Sequence, residues 1–89
     1  MLPYGKIDSV AQLGRLVRRR RKESGVRQTD AAALAGVGVR FLSELERGKE
    51  SAEVGRVLQV LERLGLEVLV VPRGWSPPLG TTESEPFDD

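Results

Sequence analysis

Four residues in the middle of the chain, Val39, Arg40, Ser43 and Glu44, recur at i, i+1, i+4 and i+5. On a helix that spacing gathers them on one side. The set combines an apolar group, a two-pronged cationic donor, a hydroxyl and a carboxylate. Those are the groups that read base edges in a DNA major groove. Arginine donates two bonds to guanine O6 and N7, and glutamate accepts from cytosine N4. Two of them also have a plainer reading. Arg40 is spaced to pair with Glu44 one turn on, and a glutamate facing DNA simply repels phosphate. Arg47 and Lys49 flank Gly48 just past this face, and their charges suit a phosphate backbone. The Phe41 ring could stack on a base, but its setting between Arg40 and Leu42 reads rather as partial core.

Other chemistry finds few candidates. There is no cysteine and no histidine, so neither a disulfide nor the usual metal ligands are available. No P-loop is present, and so short a chain is not expected to enclose a reaction cavity. Neither an enzyme nor a cofactor is expected. No apolar run approaches the roughly 18 residues of a membrane span, and no signal-peptide core is read at the N-terminus. The lack of cysteine suits a reducing compartment, so a cytoplasmic protein is expected.

The net charge of +1 hides an asymmetry. Residues 1–74 carry all 14 Lys and Arg against nine acids, a net +5. Residues 75–89 carry Glu83, Glu85, Asp88 and Asp89 and no base, a net −4. A basic body with an acidic tail suits a polyanionic partner, although a solvated surface would read the same way. A chain of 89 residues is also small for a self-sufficient core, which favours oligomerisation.

The elements that must position these residues are legible as caps, stripes and stops. Residues 1–8 read as a loose N-terminal arm. Ser9 and Gln12 have the form of a capping box. A helix then runs over about 10–24, with Val10, Leu13 and Val17 on one face and Leu16 on its flank, ending in the run Arg18–Lys22 before Gly25. That run wraps the helix, so only some of it can face a partner. Gln28 to Ala35 and Val39 to Arg47 read as two short helices separated by Gly36-Val37-Gly38. Leu34 and Ala35 of the first are expected to pack on Leu42 and Leu45 of the second, and the alanines allow close approach. Ser51 is read as the cap of a fourth helix bearing Val54, Val57, Leu58, Leu61 and Leu64, ended by Gly65. Leu66 to Pro72 is β-branched and apolar on both faces, with Leu66, Val68 and Val70 on one and Leu69 and Val71 on the other. No second strand exists to pair with it. Residues 74–89 are rich in Pro, Gly, Ser, Thr and acids and read as a disordered acidic tail. Its aromatics Trp75 and Phe87 suit, respectively, packing on a sheet and insertion into a partner's pocket.

Two short helices about a glycine turn match a helix-turn-helix, an arrangement shared by many helical domains. The fuller string is more specific. Gln28-x-x-Ala31-Ala-x-Leu-Ala-Gly36-Val37 followed by Leu42-Ser43-x-Leu45-Glu46-Arg47-Gly48-Lys49 resembles the Xre family of phage repressor and Cro-like regulators. The resemblance spans about residues 11–65. It implies a mainly α, lambda-repressor-like domain of four or five helices over residues 9–65. It also implies a phosphate contact for Gln28 and a structural pair between Glu46 and an arginine late in the first helix, here Arg21. The chain departs from the family pattern where Arg27 and Gly38 replace the usual Ser or Thr caps, and Arg27 is then available for phosphate.

With residues 66–73 added, the chain is similar to HipB-type antitoxins. That resemblance implies that this strand pairs antiparallel with its copy in a homodimer, forming a two-stranded intersubunit sheet. It implies as partners double-stranded DNA bearing an inverted-repeat operator and a HipA-like serine/threonine kinase toxin, with repression of the protein's own operon. A stand-alone or phage-type repressor is the near alternative. A module that neutralises a toxin, with DNA binding secondary, is the alternative of another class.

Overall fold

In the computed structural model, residues 4–75 are described, and they form four helices. These are α1 (Val10–Glu23), α2 (Gln28–Ala35), α3 (Val39–Glu46) and α4 (Val54–Arg63). Of the expected acidic tail, Gly74 and Trp75 are described, and Trp75 is exposed; residues 76–89, with Phe87, lie outside the described residues. No helix is long and apolar enough to cross a membrane among the described residues.

The start of α1 follows the expected capping box. Ser9 is extended, and its hydroxyl accepts from the Gln12 N–H at 3.1 Å. The Gln12 side chain reaches back one residue further than expected, accepting from the backbone N–H of Asp8. The four helices all stop in the same way. The residue after the glycine donates its N–H to the carbonyl five positions earlier: Val26 to Arg21, Val37 to Ala32, Lys49 to Glu44 and Leu66 to Leu61. This double-bonded stop needs a left-handed residue. Gly36 meets that need at φ 74° and Gly48 at φ 86°, where a side chain would be strained. At three of the stops the residue past the glycine is apolar and packs on the core, as Val26, Val37 and Leu66 do. At the fourth it is Lys49.

The core is Val17, Ala31, Ala32, Leu42, Leu45, Val57, Val60 and Leu61. Several expectations are corrected here. Leu34 is exposed, because α2 turns Ala31 and Ala32 inward instead. Small residues let α2 lie close to α3, which rotates the leucine outward. On α4 the buried face is Val57, Val60 and Leu61, so Val54 and Leu58 sit on its flank in solvent. Ser51 does not cap α4. The helix begins later, after an extended Glu53 that makes no side-chain cap bond. The arm is not loose over its described part. Tyr4 folds back along α1, and its hydroxyl donates to Glu23 Oε1 at 2.9 Å and accepts from Arg20 Nη1 at 3.3 Å.

The crossing of α1 over α3 is set by Gly14. A Cβ there would fall on the carbonyl oxygen of Leu45 and come within 2.8 Å of that of Glu46. The turn beyond α3 is equally tight, with Ala11 Cα 2.9 Å from where a Gly48 Cβ would stand. Past α4, residues 66–72 leave the body without pairing to anything in the same chain, and no strand forms among the described residues. Leu66 packs on the core, while Val68, Leu69, Val70 and Val71 are exposed.

Candidate nucleic-acid interface

One carboxylate ties three helices together. Glu46, at the end of α3, accepts from Arg21 Nε at 2.6 Å and Arg21 Nη2 at 3.0 Å. Its Oε1 also accepts from Gln28 Nε2 at 2.9 Å. Arg21 completes its fork by donating Nη1 to the carbonyl of Val26 at 2.9 Å. The pair is buried, with side chains 10% and 3% exposed. The hydrogen bond to Glu46 is the main reason the Arg21 guanidinium binds its proton more tightly than usual, opposed by burial. A buried pair survives only when its geometry is good and its remaining hydrogen-bonding groups are met. Both conditions hold, since no buried side-chain polar atom lacks a partner among the described residues. The pair fixes the angle between α1, α2 and α3, so α3 is presented as a rigid unit.

The outward face of α3 carries the expected residues. At 3.6 residues per turn, Val39, Arg40, Ser43, Glu44 and Arg47 share an arc of about 140°, opposite Leu42 and Leu45. Val39 and Arg40 are exposed, Ser43 and Glu44 half-buried, and Phe41 packs on the core. The Arg40 side chain is 89% exposed and its Nε stands 3.6 Å from Glu44 Oε2. The plainer reading of that spacing is thus present in the free protein. Glu44 has a second cation, Lys49 Nζ, donating to Oε1 at 3.2 Å. Chiefly through that bond, the Glu44 carboxyl titrates below its ordinary range. Arg47 is exposed and makes no ion pair among the described residues.

Gln28 begins α2 and is half-buried, with its amide nitrogen engaged by Glu46. Arg27 precedes it as an extended cap residue with no side-chain cap bond, paired instead to Asp30 at 3.4 Å. Gly38 likewise opens α3 without a side-chain cap. The first N–H groups of both helices therefore have no side-chain acceptor.

The basic run of α1 divides by role. Arg21 is buried with Glu46. Arg20 donates Nε to the Leu64 carbonyl at 2.8 Å and so fastens α1 to the end of α4. Arg19 pairs with Glu23 at 3.1 Å and lies 5.1 Å from the centre of the Tyr4 ring. Arg18 and Lys22 are exposed and make no ion pair among the described residues. The tie from Gln28 to Glu46 was missed in the sequence, because eighteen residues separate them. Gly14 left a readable signal, a glycine inside an otherwise strong helix.

Comparison with known proteins agrees with this geometry. The helix-turn-helix domain family matches residues 12–72. An uncharacterised HTH-type transcriptional regulator of Sinorhizobium fredii is 46% identical over 69 residues, covering 78% of this chain and 91% of the relative. Among solved structures, a HipB–O4 20mer complex superposes with a TM-score of 0.72 at 22% identity, covering 78% of this chain and 97% of the other. A HipA–HipB–O2–O3 complex gives the same TM-score, identity and coverage. At that identity the structures speak to the fold, and their fold is the one described above. By the family match and by its close relative, this chain belongs to the helix-turn-helix domain family, as a homologue of HTH-type transcriptional regulators.

Proposed function

We propose that the protein is a cytoplasmic, homodimeric transcriptional repressor that reads an inverted-repeat operator in double-stranded DNA with α3. The observation that carries the reading is the outward face of α3, where Val39 and Arg40 are exposed and Ser43 and Glu44 half-buried, opposite the core leucines. A helix so presented fits the major groove and reaches base edges. Gln28, Arg27, Arg47 and Lys49 flank it and supply phosphate contacts. The uncapped start of α2 supports this, because open helix N–H groups attract phosphate.

The dimer is supported by Val68, Leu69, Val70 and Val71, four neighbouring apolar residues exposed in a single chain. In this proposal residues 66–73 pair antiparallel with the same residues of a second copy, and Leu66 anchors each strand to its own core. Repression follows by occlusion, with a dimer covering a two-fold site. The likeness to HipB in a HipA–HipB–O2–O3 complex favours a HipA-like kinase toxin as a further partner and the antitoxin role that goes with it.

Mobility-shift titration of the protein against the DNA upstream of its own gene tests the reading. The expected result is a salt-sensitive complex whose footprint is an inverted repeat, with half-site centres about 34–36 Å apart or a multiple of that. Binding that does not distinguish the upstream DNA from unrelated duplex would remove it. Co-purification from the native operon tests the kinase partner separately.

A further inference from the structure

Of the four helix stops, only that of α3 lacks an apolar residue past its glycine. Lys49 stands there, and Glu44 holds it twice. The Glu44 carbonyl accepts the Lys49 backbone N–H at 3.1 Å, and its carboxylate accepts Lys49 Nζ at 3.2 Å. The same carboxylate lies 3.6 Å from Arg40 Nε. Two of the cations at this face, Arg40 and Lys49, are thus both engaged with one acid, while Arg47 is not. The Glu44 side chain is 26% exposed, whereas that of Arg40 is 89% exposed, so the acid is the more covered member of the cluster and still meets solvent. Its depressed titration agrees with this engagement.

We propose that Glu44 makes phosphate clamping conditional on base recognition, holding Lys49 and Arg40 until a base amino group in the groove takes its carboxylate. The inference rests on the DNA-binding reading above. The amino group is a major-groove donor, cytosine N4 or adenine N6. Where such a donor faces Glu44, the carboxylate exchanges an internal cation for the base, and Lys49 turns to a phosphate. Where none does, Glu44 keeps Lys49, and the protein meets DNA with one fewer phosphate contact. Its charge then stands unpaired by the duplex, against the polyanion. The acid on this face therefore acts as a specificity-determining residue whose main effect is to weaken binding at wrong sites.

Glu44→Gln tests the idea, because the amide keeps the shape and gives up the charge that holds Lys49. Two probes are used: the duplex that the wild-type dimer enriches from a random-sequence library, and sheared genomic DNA of unrelated sequence. Affinity for each is measured across a salt series, with thermal unfolding confirming an intact fold. For genomic DNA, Glu44→Gln is expected to tighten binding several-fold. Its slope of log affinity against log salt should steepen by about 0.9, the value for one added phosphate contact. Affinity for the enriched duplex should rise less or fall, so discrimination contracts. Adding Lys49→Ala to Glu44→Gln should reverse the gain on genomic DNA. The proposal is overturned if Glu44→Gln shifts both probes by one factor, leaves the genomic slope unchanged, or gains affinity that survives Lys49→Ala. If the wild-type protein enriches no duplex, the DNA-binding reading falls and takes this proposal with it; the other failures remove the proposal alone.

Discussion

Two side-chain clusters show how single residues set the frame. Glu46 receives donors from α1 and α2 while belonging to α3. Its removal leaves the Arg21 charge buried without its partner. Such a loss costs about 3–5 kcal/mol, whereas replacing both partners by apolar groups of similar size is often near neutral. Urea unfolding should therefore show Glu46→Ala severely destabilised, and Arg21→Met with Glu46→Leu much less so. Equal losses in the single and double variants would contradict the account of the pair. The second cluster is titratable. The Tyr4 hydroxyl, and after it Arg19, hold the Glu23 carboxyl below its ordinary range. A carboxylate depressed in the folded state stabilises above its unfolded value, near 4.3, and loses that contribution as pH falls through the folded value. The Tyr4 ring resonances should thus move toward unfolded positions on acidification through the lowered folded value of Glu23, below the ordinary glutamate range. In Glu23→Gln they should not follow pH at all. A Tyr4 ring that titrates identically in that variant would sink the docking of the arm on Glu23.

Elements are governed by where backbones touch. Alanine is the better helix former than glycine by about 1 kcal/mol, so Gly14→Ala would stabilise an isolated α1. In the folded chain the added methyl meets the carbonyls of Leu45 and Glu46. Overpacking of this kind costs about 1–3 kcal/mol. Thermal unfolding of Gly14→Ala should show net destabilisation, and a raised melting temperature would show that α1 does not cross α3 there. The helices themselves were legible because their punctuation is local. The Ser9 cap, the short helix Gln28–Ala35 and the glycine stops act within one turn, and the structure reproduces them. Which face of a helix turns inward was less legible. Leu34 and Leu58 look like core on any apolar count, yet both are exposed, because the alanines of α2 and the position of Val60 decide the approach. On α3 the inner side was legible, since Leu42 and Leu45 are buried as expected. The clasp of Glu44 on Lys49 needs the backbone of the stop to bring them together. In the sequence only the spacing of Arg40 to Glu44 hinted at it.

At the scale of the whole molecule, the exposed run Val68–Val71 is the feature a single chain does not resolve. Two paired strands alone are marginal, so in the proposed dimer they also gain from Leu66, which packs on the core. A chain ending at Gly65 loses both the strand and that anchor. Sedimentation should find it monomeric or unfolded, and an unaltered dimer would place the interface elsewhere. The central claim is that α3 reads bases while its neighbours hold phosphate. The most direct measurement is the affinity of Arg40→Ala and Arg47→Ala for an enriched duplex, for its single base-pair variants and for unrelated DNA. Arg47 is the suitable phosphate probe because it has no ion pair to lose among the described residues. Arg40→Ala should cost about 1–3 kcal/mol on the enriched duplex and abolish discrimination at one base pair, while Arg47→Ala weakens every duplex by nearly one factor. If Arg40→Ala instead lowers the affinity for all these duplexes equally, α3 does not read the sequence through Arg40, and the account of this face is wrong.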